Sequence, residues 1–274
     1  MSHAISGKSI AETIKLELIE EISLYPKEII FSIIYIGNDP VIDNFIRYKK
    51  KFGAEIGVSV VVHSFDKNIK EEELLFEIEN ISKNSDAVIV QLPLPVHFNT
   101  EIILNAVPFE KDVDVLSRKA KEIFQTSETF MIPPVTGAII ESLKATGVEF
   151  KNKNIVVVGY GDLVGKPFCM WLEKNNIGYT LLKKDTNEGE KEASLKSADI
   201  IVSGVGSPNL IQADMIQEGV ILLDAGTSES GKKIVGDIDG EAYKKAAYYT
   251  PVPGGIGPIT IAVLYRNIIS RLNT

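Results

Sequence analysis

Glycines at positions 159, 161 and 165 stand at GxGxxxG spacing directly after the apolar run Ile155-Val-Val-Val158. The pattern suits a pyrophosphate. The first glycine permits a tight turn and the second lets backbone approach phosphate oxygens. The third lets the following helix pack close to the strand, with its N-terminal N–H groups facing the anion. Glycine turns after strands are common, so the flanking segments decide the reading. Four apolar residues, three of them valine, read as a strand buried on both faces, and Phe168-Cys-Met-Trp-Leu172 has helical character. Two further strand ends, Gly37-Asn38-Asp39 and Gln91-Leu-Pro-Leu-Pro95, lie where parallel sheets bind ligands. Cys169 has no metal-ligand spacing around it and reads as a buried helix residue. His3, His63 and His97 are far apart, so neither a metal site nor a histidine-based triad is expected.

The elements that must position these residues alternate. Residues 7–24 carry Ile10, Ile14, Leu18 and Ile22 at helical spacing; strand 29–36, helix 41–56, strand 58–65, helix 70–83 and strand 86–91 follow. Helix 41–56 is rich in cations, with Arg47, Lys49, Lys50 and Lys51. A short helix at 99–105 precedes Pro133-Pro134 and an apolar helix, 138–146, which reads as the link between domains. Strand 154–158, helix 165–175, strand 178–182, helix 189–196 and strands 199–202, 219–224 and 248–252 lead to a last helix, 259–272. Such alternation predicts parallel sheets and an α/β fold. At 274 residues the chain can hold two domains, and 45% hydrophobic with 24% charged residues describes a soluble globular protein. A net charge of −8 argues against nucleic acid as partner. No apolar run is long enough to span a bilayer, and Met1-Ser-His-Ala lacks a signal-peptide pattern, so a cytoplasmic address is expected.

Three stretches together resemble one family: Val90-Gln-Leu-Pro-Leu-Pro95, Lys111-Asp-Val-Asp114 and Pro251-Val-Pro-Gly-Gly-Ile-Gly-Pro-Ile-Thr260. They are similar to the bifunctional methylenetetrahydrofolate dehydrogenase/methenyltetrahydrofolate cyclohydrolase (FolD) family, and the segment from Val157 to Pro167 resembles its cofactor loop. The motif order matches over nearly the whole chain. The resemblance implies an N-terminal α/β catalytic domain (residues 1–134, completed by 259–274), a Rossmann domain (135–258), a cleft between them and a homodimer. It implies tetrahydrofolate derivatives as substrates and two steps at one carbon. Hydride leaves the methylene bridge for a nicotinamide, which demands proximity more than proton transfer. Water then adds to the methenyl cation and the ring opens, which demands a proton shuttle. Lys49 matches the family's lysine for the second step, Gln91 would position it, and Asp114 would accept two hydrogen bonds from the pterin. Phe45, Leu92, Pro93, Pro253, Gly254, Gly255 and Gly257 match the folate side. Gly159, Tyr160, Gly161, Leu163, Val164, Gly165, Lys183, Lys184, Gly204, Gly226 and Thr227 match the dinucleotide side. Asp224 resembles the nicotinamide-side loop, and Asp237 and Asp239 read mainly as structural.

The chain departs from the family pattern at several positions. Phe45 stands where a tyrosine is usual, one helical turn before Lys49, and Ile42 where a serine is usual. Val115 follows Asp114 where glycine is usual, and Pro133-Pro-Val-Thr136 replaces Pro-Cys-Thr-Pro. Tyr160-Gly161 replaces Arg-Ser, which removes a partner for a 2′-phosphate. Lys183 and Lys184 could bind that phosphate, whereas Asp185 could bind a free 2′-hydroxyl. NADP is expected, and NAD stays open. Two alternatives also stay open: a monofunctional dehydrogenase, and a catalytically silent folate- or nucleotide-binding protein.

Overall fold

Residues 2–127, 131–230 and 233–273 are described by a computed structural model. The chain forms two compact units, Met1–Glu12 with Val135–Thr260, and Thr13–Pro134 with Ile261–Thr274. It opens with β1 (His3–Ala4) and α1 (Gly7–Ile22). Sequence analysis placed the first residues in the catalytic domain. In the structure they cluster with the Rossmann-type unit, because β1 joins the edge of its sheet.

The unit built on residues 13–134 has a parallel three-stranded sheet, β2 (Ile29–Ile36), β3 (Val58–Phe65) and β4 (Ala87–Val90), in the order β3-β2-β4. Phe31, Ile33 and Ile34 of the central strand are completely buried. The helices are α2 (Pro40–Ile56), α3 (Glu71–Lys83), α4 (Thr100–Asn105) and α5 (Arg118–Thr126). α2 starts where Asp39 accepts the Val41 N–H and Pro40 supplies the first helical residue, and it stops at Gly57 in the left-handed region. Ile42, Ile46, Gly53 and Ile56 form its buried face. α5 was not foreseen. Ser117 caps it, but only Ala120 and Phe124 of its residues are buried, too few to show a period among charges.

The other unit contains α6 (Pro134–Ala145), β5 (Ile155–Val158), α7 (Gly165–Lys174), β6 (Thr180–Leu182), α8 (Glu188–Ser197), β7 (Ile200–Ser203) and β8 (Ile221–Asp224). The short strands β9 (Ser228–Ser230) and β10 (Lys233–Val235) pair antiparallel. β11 (Tyr248–Tyr249) and α9 (Ile256–Leu272) follow, α9 running into the Ile261–Thr274 segment of the first unit. The sheet is parallel, in the order β1-β11-β8-β7-β5-β6. β5, β7 and β8 are buried along their whole length, which is why they appear as unbroken apolar runs. The strand order reverses between β5 and β7, so the loops after these two strands flank the crevice where dinucleotides bind in such sheets. No described helix is long and apolar enough to cross a membrane.

One backbone feature in the loop after β4 stands against the ordinary rules. Val115 is buried and has φ +57°, a left-handed conformation that a β-branched residue rarely adopts. The strain costs on the order of 1–2 kcal/mol, and burying the side chain offsets it by a similar amount, about 1.5–3 kcal/mol. The usual Gly/Ala order is therefore expected to invert here. Val115→Gly releases the strain and should be more stable to denaturant than Val115→Ala, which keeps the strain and loses the methyls. Equal stabilities, or a more stable alanine variant, would show that the backbone is not strained.

Candidate functional site

Lys49 lies in the third turn of α2, and its Nζ donates a 2.7 Å hydrogen bond to Gln91 Oε1. Gln91 follows β4, with its N–H donating to the Ile34 carbonyl of β2 at 2.8 Å. Its Nε2 donates to the Leu92 carbonyl at 2.9 Å, which turns the amide oxygen toward the lysine. The lysine stem is half-exposed, but its amine is desolvated. Burial lowers its pKa from the ordinary 10.5, and the charge of Asp114 works in the opposite direction. Burial likewise raises Asp114, with Lys49 opposing. The two groups thus face each other electrostatically in surroundings that favour their uncharged forms. An amine of this kind gives up its proton more readily than a solvated lysine does.

Asp114 is carried by a loop held from beneath. The Val88 N–H of β4 donates to the Lys111 carbonyl at 2.8 Å, and Lys111 Nζ donates to the Ser82 carbonyl at 2.5 Å. The buried carboxylate of Asp112 accepts the N–H groups of Leu116 (2.9 Å) and Ser117 (2.7 Å), closing the turn around Asp114 and Val115. Sequence analysis read this motif through its last acid. The spacing of two acids one residue apart could have suggested that they point to different environments. Phe45 is exposed on α2 and Ile42 is buried. Tyr48 is also exposed, under the Arg47 guanidinium. Leu92 is half-buried and Pro93 exposed, joined by a cis peptide bond.

In the other unit the glycine spacing has a steric cause. Gly159 has φ +91°, and a Cβ there would lie 2.9 Å from Val205 Cγ2. A Cβ on Gly165 would collide with the Gly159 carbonyl. Gly161 differs: a Cβ there would meet only the Gly204 carbonyl, at an ordinary 3.9 Å. The fold does not demand glycine at 161, in keeping with the serine that the family usually carries there. Val164 gives α7 no side-chain cap; in its first turn Pro167 has no N–H and Lys166 donates to the Gly161 carbonyl at 3.1 Å. Leu163 is exposed and Val164 buried, packed where a Cβ on Gly204 would strike it. Lys183 is the first residue after β6, with its Nζ 5.0 Å from the Tyr160 ring centroid. Lys184 is exposed beside it. These residues fit a dinucleotide.

Two buried acids organise the remaining loops. Asp224 accepts the N–H groups of Gly226 (3.0 Å), Asp237 (3.1 Å) and Ile238 (2.9 Å), and burial pushes its pKa up to about 6. Asp237 accepts from Ser203 Oγ (2.7 Å) and from the Val205 (2.7 Å) and Ser207 (2.8 Å) N–H groups. Gly226 touches the Asp237 carboxylate so closely that a Cβ cannot fit, while Thr227 beside it is exposed. Both acids are therefore spent on backbone amides, and the Ser203–Ser207 loop is tied to the 224–226 turn through them. The 251–258 segment has a cis Val252–Pro253 bond, and the Gly7 N–H donates to the Gly254 carbonyl at 3.0 Å. Gly255 is buried against Thr250 and Pro251, whereas Pro253, Gly254 and Gly257 are exposed. Thr136 lies in α6, fully buried and without a hydrogen-bond partner for its hydroxyl. Cys169 is buried, its thiol pushed up to about 11 by desolvation.

Fold and sites define a two-domain α/β protein of the Rossmann dinucleotide-binding class, with a desolvated lysine–carboxylate pair in its other domain. Comparison with known proteins narrows this. Residues 5–114 match the catalytic domain of tetrahydrofolate dehydrogenase/cyclohydrolase, and residues 133–274 match its NAD(P)-binding domain. The bifunctional protein FolD of Nautilia profundicola is 38% identical over 97% of this chain and 95% of its own length. The structure is similar to that of FolD from Campylobacter jejuni, with a TM-score of 0.94 and 31% identity over 100% of this chain and 99% of that one. The FolD of Trypanosoma brucei, solved with NADP and an inhibitor, has a TM-score of 0.94 and 29% identity over 99% of this chain and 97% of its own. This chain belongs to the tetrahydrofolate dehydrogenase/cyclohydrolase family.

The Asp112 carboxyl generates a pH test. Burial raises it from 3.8 to about 6, so between those values the folded chain holds more protons than the unfolded chain. Its contribution to stability is fully present below 3.8 and is lost as pH rises through about 6. Unfolding free energies measured from pH 4 to 7 should show wild type losing stability relative to Asp112→Asn across that window. A pH-independent difference would contradict the raised pKa.

Proposed function

We propose that this protein oxidises 5,10-methylenetetrahydrofolate to the methenyl cation with a nicotinamide dinucleotide and hydrolyses that cation to 10-formyltetrahydrofolate. The observation that carries the reading is the Lys49 amine, hydrogen-bonded to Gln91 and desolvated beside Asp114. The nicotinamide, when bound, accepts the hydride. The residues of the chain do the rest. Asp114 accepts two hydrogen bonds from the pterin and fixes its orientation. Uncharged Lys49 accepts a proton from the water that adds to the methenyl carbon. It then returns a proton to the ring nitrogen whose bond to that carbon breaks, while the added hydroxyl releases its own proton to solvent, leaving the formyl group on the other nitrogen. Gln91 keeps the amine aimed through this cycle. The phenol usual at position 45 is absent, and Gln91 holds the lysine without it.

NADP is the proposed cofactor, bound by a different arrangement from an Arg-Ser pair. Lys183 occupies the strand-end position where an acid would select a free ribose hydroxyl, and Tyr160 lies beneath its ammonium. That the Trypanosoma brucei relative is complexed with NADP supports the same choice. Family resemblance supports a homodimer in the cytoplasm.

Purified protein given methylenetetrahydrofolate should yield reduced cofactor with only transient methenyl product. Accumulating methenyl would mean that the hydrolytic step is lost, and no reduced cofactor would sink the reading. Lys49→Met should cut cyclohydrolase turnover by about 10²–10⁴-fold and spare hydride transfer. For the cofactor, Lys183→Ala should raise KM for NADP about tenfold, a loss of roughly 1.4 kcal/mol, with KM for NAD unchanged. Equal effects on both would remove Lys183 from 2′-phosphate recognition.

A further inference from the structure

Tyr265, on α9, is fully buried, with its ring stacked on Phe52 at 5.1 Å and edge-on to Phe31 at 5.5 Å. Its hydroxyl donates to the Lys49 carbonyl at 2.7 Å. In a helix the carbonyl of residue 49 is the one that the N–H of residue 53 faces, so the hydroxyl ties α9 to the α2 backbone at the lysine turn. There is room for it because residue 53 is glycine; a Cβ there would lie 2.6 Å from the Tyr265 oxygen. Burial pushes the phenol far above its ordinary pKa, so it stays a proton donor throughout the working range. Two residues on, the buried amide of Asn267 donates to the carbonyls of Val113 and Ile132, both at 2.8 Å, and accepts the Ile132 N–H at 3.1 Å. From two of its sides α9 thus grips the backbone at Lys49 and beside Asp114.

We propose that Tyr265 is a positioning residue for the hydrolytic step, its hydroxyl on the Lys49 carbonyl setting the direction in which the Lys49 turn presents its amine. The proposal rests on Lys49 being the proton shuttle. Without the hydroxyl, the Lys49 carbonyl loses its tie to α9, and the turn bearing the amine shifts. A misplacement near 1 Å can cost about 10²-fold in rate. The step that moves protons through Lys49 suffers, whereas hydride transfer, which does not use the amine, is spared.

The test is Tyr265→Phe in the full chain, which keeps both ring contacts, measured beside Lys49→Met. Cyclohydrolase kcat is expected to fall about tenfold or more, with KM and dehydrogenase kcat within about twofold. The alkaline-going limb of the cyclohydrolase pH profile should move to higher pH as the amine gains solvent. A purely structural role would instead lower both activities in proportion to the folded fraction and leave the pH profile in place, overturning the proposal. If hydrolysis is unchanged in Tyr265→Phe while Lys49→Met abolishes it, the proposal alone fails. If hydrolysis survives Lys49→Met, the shuttle reading fails and takes the proposal with it. Should Tyr265→Phe not fold, Gly53→Ala combined with Val60→Ala, which relieves the 2.5 Å contact with Val60 and leaves the new methyl against the hydroxyl, should give the same selective loss. Unimpaired hydrolysis there would equally overturn the proposal.

Discussion

A lysine amine removed from water is the constraint on which the catalytic unit depends. Desolvation opposes the ammonium, and the neighbouring Asp114 charge supports it. Gln91 offers a neutral acceptor that orients the amine without adding a charge. A carboxylate in place of Gln91 would hold the lysine permanently protonated; an apolar residue would leave the amine unpaired in a desolvated site. The neutral amide keeps the proton affinity adjustable, and that is the property a shuttle needs.

Most of the surrounding structure serves to keep that geometry fixed. α2 is anchored at both ends, by the Asp39 cap and the left-handed Gly57, so the lysine turn cannot slide. The Asp114 loop is bridged to β4 and closed by Asp112. The dinucleotide unit uses the same device. Asp224 and Asp237 are buried carboxylates whose acceptor capacity goes to the backbone amides of loops that a regular sheet could not hold. In both units buried acids hold the backbone of loops, as the reading of Asp237 from sequence expected.

Much of this was legible beforehand because it is periodic or punctuated. Strand 155–158 appears as an unbroken apolar run and strand 29–36 as one broken only at Ser32, and the glycines at 159 and 165 mark contacts that no side chain permits. What escaped is what depends on distant partners. β1 is two exposed residues whose only reason to be a strand is Tyr248–Tyr249, more than 240 residues later. Asp112 and Asp114 are chemically identical, and only the fold separates the amide-capping acid from the one facing Lys49. Tyr265 and Asn267 read as ordinary residues of a terminal helix, since nothing local records that they bond to residues 49, 113 and 132.

The central claim, that the Lys49 amine is destabilised as an ammonium, is tested most directly by titrating it. Protein labelled with ¹³C at the lysine Cε, with the Lys49 signal identified by its absence in Lys49→Met, would give its pKa by NMR. The account requires a midpoint below the ordinary 10.5. A midpoint at or above 10.5 would mean that Asp114 outweighs desolvation, and Lys49 would then be a fixed charge rather than a shuttle.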